Sequence, residues 1–536
     1  MNKSSNDKDL KRILLKYLPY IILFFSVFLI YAKTVAYDIT DNDDSSFIYA
    51  NASAYDSETV LKDIFTNNVL FGGTTAYYRP LLTVSFAICH KIAGTSPHFA
   101  HLTNVLLHIL SCFIIFFFFK KYLMGNTAAL AAALFFAVHP ANIYTVSWIP
   151  GRNDSLFFIL FLPALIFFVE YCRSKKSGFI ILHFLFFMAL LFTKESAPAA
   201  AVIFILYFIT HKTKNQERLP AYIYFIWCLE ILFFIFLQKR VIADSPIFSA
   251  ICGSFNIQNI SMFFEYYASM LFLTVPFGVN VSAKTFILGG FSIIFLGWLA
   301  FFCGKDKKKM FFYFIIPFIF LAPTMIASRI WYQGNRMYIP LFAVLAVLFM
   351  SFDRYKICKK YTFPVIIALL LTCSYISFTK SDKFKNGVNF WEAVYQDYKK
   401  PPVLTGNSYA YALLRFGYPD EAYPVIMQAM EEGKNSNSST IYNLANYYFI
   451  KENYGEAVKY FEFAAQNSVL ADKETFANLF ICYKFLNNEK SAGLYYTKTA
   501  ELSNNSYDET NKFISELAAN LALTQKIYKE RKEKNS

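Results

Sequence analysis

The sequence lacks the signatures of most common soluble chemistries. Its nine cysteines are odd in number and scattered mostly through apolar runs with no CxxC pair, so neither a disulfide framework nor a zinc site is implied. There is no Gly-rich loop of the kind that cradles phosphates. No basic helix with interleaved aromatics lies outside the apolar runs, so nucleic-acid binding is unsupported. Charged residues are only 16% of 536 positions. No small-residue cleavage site follows the apolar stretch 13–31, which favours a retained signal anchor over a removed leader. No inverted repeat is evident and the charges gather in loops, which disfavours a transporter core. No metal-ligating cluster stands out, and no cofactor is expected.

Apolar and aromatic residues are what the chain has in abundance: 56% hydrophobic, 20% aromatic, 62 Phe. Stretches near the length that crosses a bilayer recur through the first 380 residues, the mark of a polytopic membrane protein. The net charge of +14 is carried by Lys and Arg in the short gaps between these runs, as topology signals are. Basic residues before a first span at 13–32 put the N-terminus inside. Further spans are expected at 98–119, 126–142 and 155–171, then one rising to Lys194-Glu195, one falling to 212–218, and one at 220–238. The last four are expected at 285–303, 310–326, 337–352 and 362–379. Keeping Lys305–Lys309 inside requires 258–279 to be a re-entrant or interfacial hairpin on the outer side. The expectation is eleven spans, N-terminus in and C-terminus out.

Beyond 380 the composition turns polar and a 35-residue period appears. Leu444-Ala445, Tyr448, Ala457, Phe461 and Ala464 repeat as Leu479, Tyr483, Ala492 and Tyr496, and are preceded by Ala410, Leu413, Ala422, Ile426 and Ala429. Small residues that let paired helices approach, with aromatics in the seam, fit tetratricopeptide (TPR) repeats. The expected organisation is an all-α membrane bundle over 1–380, with 33–97 as its first outer loop. A linker at 381–400 and a solenoid of three repeats plus a terminal helix at 401–536 complete it.

The acidic stretch from Asp38 to Asp44 cannot sit in hydrocarbon and follows the first span directly, so it is an outer loop held near the membrane. Its adjacent pair, Asp43-Asp44, can do acid/base chemistry, although acidic loops outside membranes are common. Other outer-side candidates are Tyr78, Arg79, His101, Asn104, His139, Arg152, Asp154, Lys194, Glu195, Arg329 and Arg336. Each has a plainer reading. His101 and His108 share a helical face and could be buried hydrogen-bonders. Lys194-Glu195 could be an interfacial ion pair, Arg152 and Asp154 could close a turn, and His139 could cap a helix end before Pro140. A carboxylate in the first loop with arginines in a late one suits transfer from a lipid-phosphate sugar. The carboxylate takes the acceptor's proton and the guanidinium holds the leaving phosphate.

The ordered series Asp43-Asp44-Ser-Ser-Phe-Ile, Tyr78-Arg79-Pro80-Leu81, His101-Leu-Thr-Asn104, Phe136-Ala-Val-His139-Pro140, Trp148-Ile-Pro-Gly-Arg152-Asn-Asp154, Lys194-Glu195 and Asn335-Arg336-Met-Tyr338-Ile-Pro340, followed by TPR repeats, resembles the transmembrane-and-TPR protein O-mannosyltransferases and their bacterial relatives. These belong to the GT-C glycosyltransferases. The resemblance implies a GT-C fold, a polyprenyl- or dolichyl-phosphate sugar donor, and inverting transfer on the extracytoplasmic or lumenal face to a protein that the repeats recruit. It implies Asp43 as general base with Asp44 as its partner, one of the two having a raised pKa. It also implies Arg336 on the donor phosphate; Arg79 and Arg329, as outer-side cations, are further phosphate candidates. Two positions depart from the family: Asn335 stands where it has Glu, and Tyr144 stands where it has a second Glu. These departures weaken the expectation of mannose. Transfer to a glycan or lipid acceptor, and a membrane-anchored TPR scaffold without activity, remain open alternatives. The Lys/Asn/Phe-rich composition favours a bacterial cytoplasmic membrane with the repeats outside, or the endoplasmic reticulum if the source is eukaryotic.

Overall fold

The computed structural model describes residues 3–71, 77–211, 218–242, 257–278, 282–304, 306–325, 332–354, 359–433, 437–467, 473–503 and 506–535. It divides into two compact units, Met1–Asn386 and Gly387–Ser536. Among the described residues every regular element is helical.

The first unit begins with α1 (Lys3–Tyr31), followed by the short α2 (Ala52–Asp56) and α3 (Val60–Thr66) of the first loop. Then come α4 (Pro80–Ala93), α5 (Pro97–Phe118), α6 (Asn126–Val138), α7 (Ile143–Ser147), α8 (Arg152–Ser174), α9 (Ser177–Leu191), α10 (Ala199–His211) and α11 (Ala221–Val241). Both α4 and α5 start with proline, whose fixed φ and missing N–H suit the first helical turn, and Ser96 caps α5 by accepting from the Phe99 amide. Between α4 and α5, Gly94 takes φ +59°, a left-handed conformation that glycine adopts without strain. The buried centre is aromatic: Phe136, Phe158, Tyr338 and Phe342 pack against one another where α6 and α8 meet helix Tyr338–Arg354.

Among the described residues seven helices are long and apolar enough to cross a membrane, and an eighth forms if α6 and the bent Pro140–Ser147 segment count as one. This is a multi-pass membrane protein, with fewer full-length spans among the described residues than the eleven expected. The shortfall is instructive. Helices α9 and α10 have 15 and 13 residues, below the ~20 needed to cross. Helix Lys307–Leu321 is likewise 15 residues long. The expected hairpin at 258–279 is instead one helix, Ile257–Phe272, packed along Ala283–Trp298. Gly289 makes that approach possible, because any Cβ there would collide with the Phe264 carbonyl.

The expected linker at 381–400 also carries structure: a 3-10 turn at Asp382–Phe384 in the first unit and helix Gly387–Gln396 in the second. The second unit continues as the antiparallel pairs Val403–Arg415/Pro419–Glu432, Ser438–Ile450/Tyr454–Asn467 and Lys473–Phe485/Glu489–Glu501, closed by Tyr507–Asn535. The small residues of the 35-residue period, Ala410, Ala422, Ala445, Ala457 and Ala492, are all buried. Tyr448 stacks on Tyr460, and Tyr483 on Tyr495.

Candidate active site

The acidic loop is held in place from several directions. After the 3-10 turn Ala32–Ala36, Lys33 and Tyr37 both bind Asp382, and the Asp38 amide donates to the Lys385 carbonyl at 3.0 Å. From α5, His101 donates to the Asp38 carbonyl at 3.3 Å. The Trp148 indole donates to the Asn42 carbonyl at 2.9 Å. Between these anchors Asp41 and Asp43 take φ +56° and +68°, a region that Asp tolerates better than most residues. The result separates the adjacent carboxylates. Asp44 turns inward and is fully buried, accepting the Thr40 amide and hydroxyl on Oδ2, while its Oδ1 is buried without a hydrogen-bond partner. Asp43 is exposed and faces a cavity.

That cavity is about 140 Å³, and three cations, Arg79, Lys194 and Arg336, line it together with Asp43, Trp148 and Asn153. Arg79 lies just before α4, with its guanidinium over the Tyr77 ring at 4.0 Å and paired bidentately with Glu195, the shortest contact being 2.6 Å. Asn153, its amide oriented to donate to the Thr193 carbonyl at 2.8 Å, accepts from Arg79 at 3.1 Å. Lys194 comes from the α9–α10 turn and donates to Asp154 Oδ1 at 2.6 Å. The Asn335 amide takes the other oxygen of the same carboxylate at 2.6 Å. Arg336 is held through Nε by the Gln333 side chain at 3.1 Å.

Electrostatics follow from this arrangement. Burial pushes the Asp44 carboxyl well above its ordinary range; the Thr40 donors pull it back, and Asp43 and Asp41 push it further up. The shift expected of one carboxylate in the pair therefore falls on the buried member. Burial pushes the Lys194 ammonium down, Asp154 opposes this, and nearby Arg79 and Arg336 add to it. The cavity wall is a cluster of cations whose carboxylate partners are unevenly shared. Glu195 answers Arg79 and Asp154 answers Lys194, whereas Arg336 has a neutral amide beside it. The guanidinium of Arg336 is the cation there best placed to take an anion with several oxygens.

Of the residues expected at the site, Asp43, Arg79, Lys194 and Arg336 line one cavity, with Asp44, Asp154 and Glu195 directly behind them. Five others lie elsewhere in the packing. Tyr78 is buried and donates to the Phe65 carbonyl at 3.1 Å. Asn104 donates to the Trp148 carbonyl at 2.8 Å and accepts from Arg152 at 3.0 Å. Arg152 is fully buried, donating also to the Ala100 carbonyl and lying over the Phe86 ring, so it braces α8 against α4 and α5. His139 accepts the Ala141 amide and caps the turn after α6. His101 braces the acidic loop, as above. Arg329 lies outside the described residues. Sequence reasoning missed Tyr77, Trp148, Asn153 and Gln333. Trp148 and Asn153 sit inside a quoted motif and could have been flagged. Gln333 carried no signal. Among the described residues no group of three His, Cys, Asp or Glu is placed to hold a metal.

Fold and site together define a helical membrane protein with a cation-walled cavity beneath an acidic loop. No protein-family model matches the chain. It is 28% identical over 165 residues to protein O-mannosyl-transferase Tmtc1 of Drosophila melanogaster, covering 30% of this chain and 19% of that protein. To human protein O-mannosyl-transferase TMTC2 it is 30% identical over 205 residues, 36% of this chain and 24% of that one. Human TMTC3 matches at 34% over 140 residues, 25% and 14% of the two chains. The chain is thus similar to protein O-mannosyl-transferases, and the matched region spans roughly a quarter or less of their length. Among solved structures, ArnT from Cupriavidus metallidurans bound to undecaprenyl phosphate aligns at 12% identity with a TM-score of 0.41, over 91% of this chain and 80% of that one.

Proposed function

We propose that this protein is an inverting GT-C-type glycosyltransferase that moves a sugar from a polyprenyl-phosphate donor to a hydroxyl of a protein or peptide at the outer membrane face. The observation that carries this reading is one cavity lined by Asp43 together with Arg79, Lys194 and Arg336. In the proposed reaction Asp43 takes the proton of the acceptor hydroxyl as its oxygen bonds to the anomeric carbon. The bond from that carbon to the phosphate oxygen breaks on the opposite side, and the phosphate leaves with the bonding pair, held by Arg336 and the other cations. Asp44, anchored by Thr40, fixes the loop that presents Asp43. The paired helices of the second unit are TPR repeats in this reading, and they present the acceptor.

Similarity to O-mannosyl-transferases supports the reaction class, and mannose is the first sugar to test. A panel of radiolabelled polyprenyl-phosphate sugars offered to membranes containing the protein tests the reading. One donor should label a protein product, and Arg336→Gln should raise the KM for that donor about tenfold or more. A panel with no labelled product would overturn it.

A further inference from the structure

A second cavity, about 510 Å³, opens between α1, α5, α8 and α9, lined by Tyr20, Phe113, Phe117, Pro163, Phe167 and Phe179. It shares no residue with the site above. Along α8, Asn153 borders one cavity and Glu170 the other, roughly 25 Å apart at 1.5 Å per residue. The walls are apolar and partly exposed, as on a surface that meets hydrocarbon. At one end the groove becomes polar abruptly. Lys121 pairs with Glu170 at 2.9 Å, Tyr122 donates to the same carboxylate at 2.5 Å, and the Arg173 guanidinium lies 4.8 Å from the Tyr122 ring.

Four described lysines flank that end in sequence. Lys120 lies two residues past α5, Lys175 and Lys176 form the α8–α9 turn, and Lys16 lies one turn from Tyr20 on α1. All four are exposed and none makes an ion pair among the described residues. Glu170 is already taken up by Lys121 and Tyr122. The groove therefore has the polarity of a phospholipid, an apolar slot leading to a surplus of cations.

We propose that it holds one acyl chain of an anionic glycerophospholipid, with the lipid phosphate on the rim of Lys16, Lys120, Lys175 and Lys176. A zwitterionic lipid brings its own cation and leaves the rim uncompensated. A soluble anion cannot use the apolar slot. By the excess of positive charge at this end, the lipid comes from the cytoplasmic leaflet, where anionic headgroups attract basic juxtamembrane residues.

The test is native mass spectrometry of the full chain in mild detergent, equilibrated with equal amounts of phosphatidylglycerol and phosphatidylcholine of identical acyl chains. One phosphatidylglycerol should be retained with about tenfold preference. Replacing the four rim lysines by Gln should abolish the preference, and Ile166→Trp, which fills the slot, should abolish retention. Equal retention of the two lipids, no retained lipid, or a Gln variant with undiminished preference would each overturn the proposal. If the variants do not fold, the wild type decides alone. Its preference must fall as salt is raised from 0.1 to 1 M, roughly a drop from 10 to 3 Å in screening length, and a salt-independent preference would overturn it.

Discussion

The Asn335 amide donates to Oδ2 of Asp154 at 2.6 Å, across 181 positions of sequence. With Lys194 on Oδ1, the carboxylate is engaged at both oxygens, and the late Asn-Arg segment is tied to α8 and to the α9–α10 turn at one point. Asn335→Asp would set two carboxylates face to face. It should lower the melting temperature in detergent by the equivalent of about 1–3 kcal/mol, and Asp154→Asn in the same chain should recover much of the loss. Additive losses would contradict the contact.

Lys194 and Glu195 are neighbours in sequence and yet serve different partners. Glu195 holds Arg79 in a bidentate pair whose side chains are 15% and 28% exposed for Arg79 and Glu195 respectively. Because both ends meet some solvent, Glu195→Ala should cost about 1–2 kcal/mol, well short of a dry buried pair. Glu195→Gln, which keeps an acceptor for the guanidinium, should cost less. Melting curves of the two variants compare them directly.

Asp44 supplies a pH signature. Its folded pKa is raised, so the native state holds a proton that the unfolded chain releases above about pH 3.9. Stability from this group is present below that pH and is lost as pH rises towards the folded pKa. Asp44→Asn keeps an acceptor for Thr40 and removes the titration. Its melting temperature relative to wild type should therefore climb with pH above 4. A difference independent of pH would contradict the assignment.

Arg152 is predicted to matter for folding. Its guanidinium is buried among the Ala100 carbonyl, the Asn104 side chain, Cys89 and the Phe86 ring, and a lysine cannot reproduce the fork. Arg152→Lys should cost about 3 kcal/mol or more, and what folds should keep the wild-type KM for donor. A normal melting temperature with a raised KM would move Arg152 into the site.

How much of this was legible in the sequence depended on the kind of signal. Apolar run length located the helices of the membrane unit, and the 35-residue period located the paired helices after it. Charges at the ends of apolar runs led to Arg79, Lys194 and Arg336, which line one cavity. Run length failed at α9 and α10, because an apolar stretch does not reveal that its helix stops early at a charged turn. Polar residues within apolar runs could be flagged but not assigned. His101, Asn104 and Arg152 looked like site residues because burial there is costly, yet their partners are mostly backbone carbonyls far along the chain. Asp43 and Asp44 are equivalent in sequence, and only the backbone at positive φ separates the exposed carboxylate from the buried one.

The central claim is that Asp43 is the base. Its most direct test is sugar transfer from the active polyprenyl-phosphate donor, comparing wild type with Asp43→Asn at equal expression and equal melting temperature. Turnover should fall about 10²–10⁴-fold with donor binding unchanged. Turnover within a few-fold of wild type would contradict it.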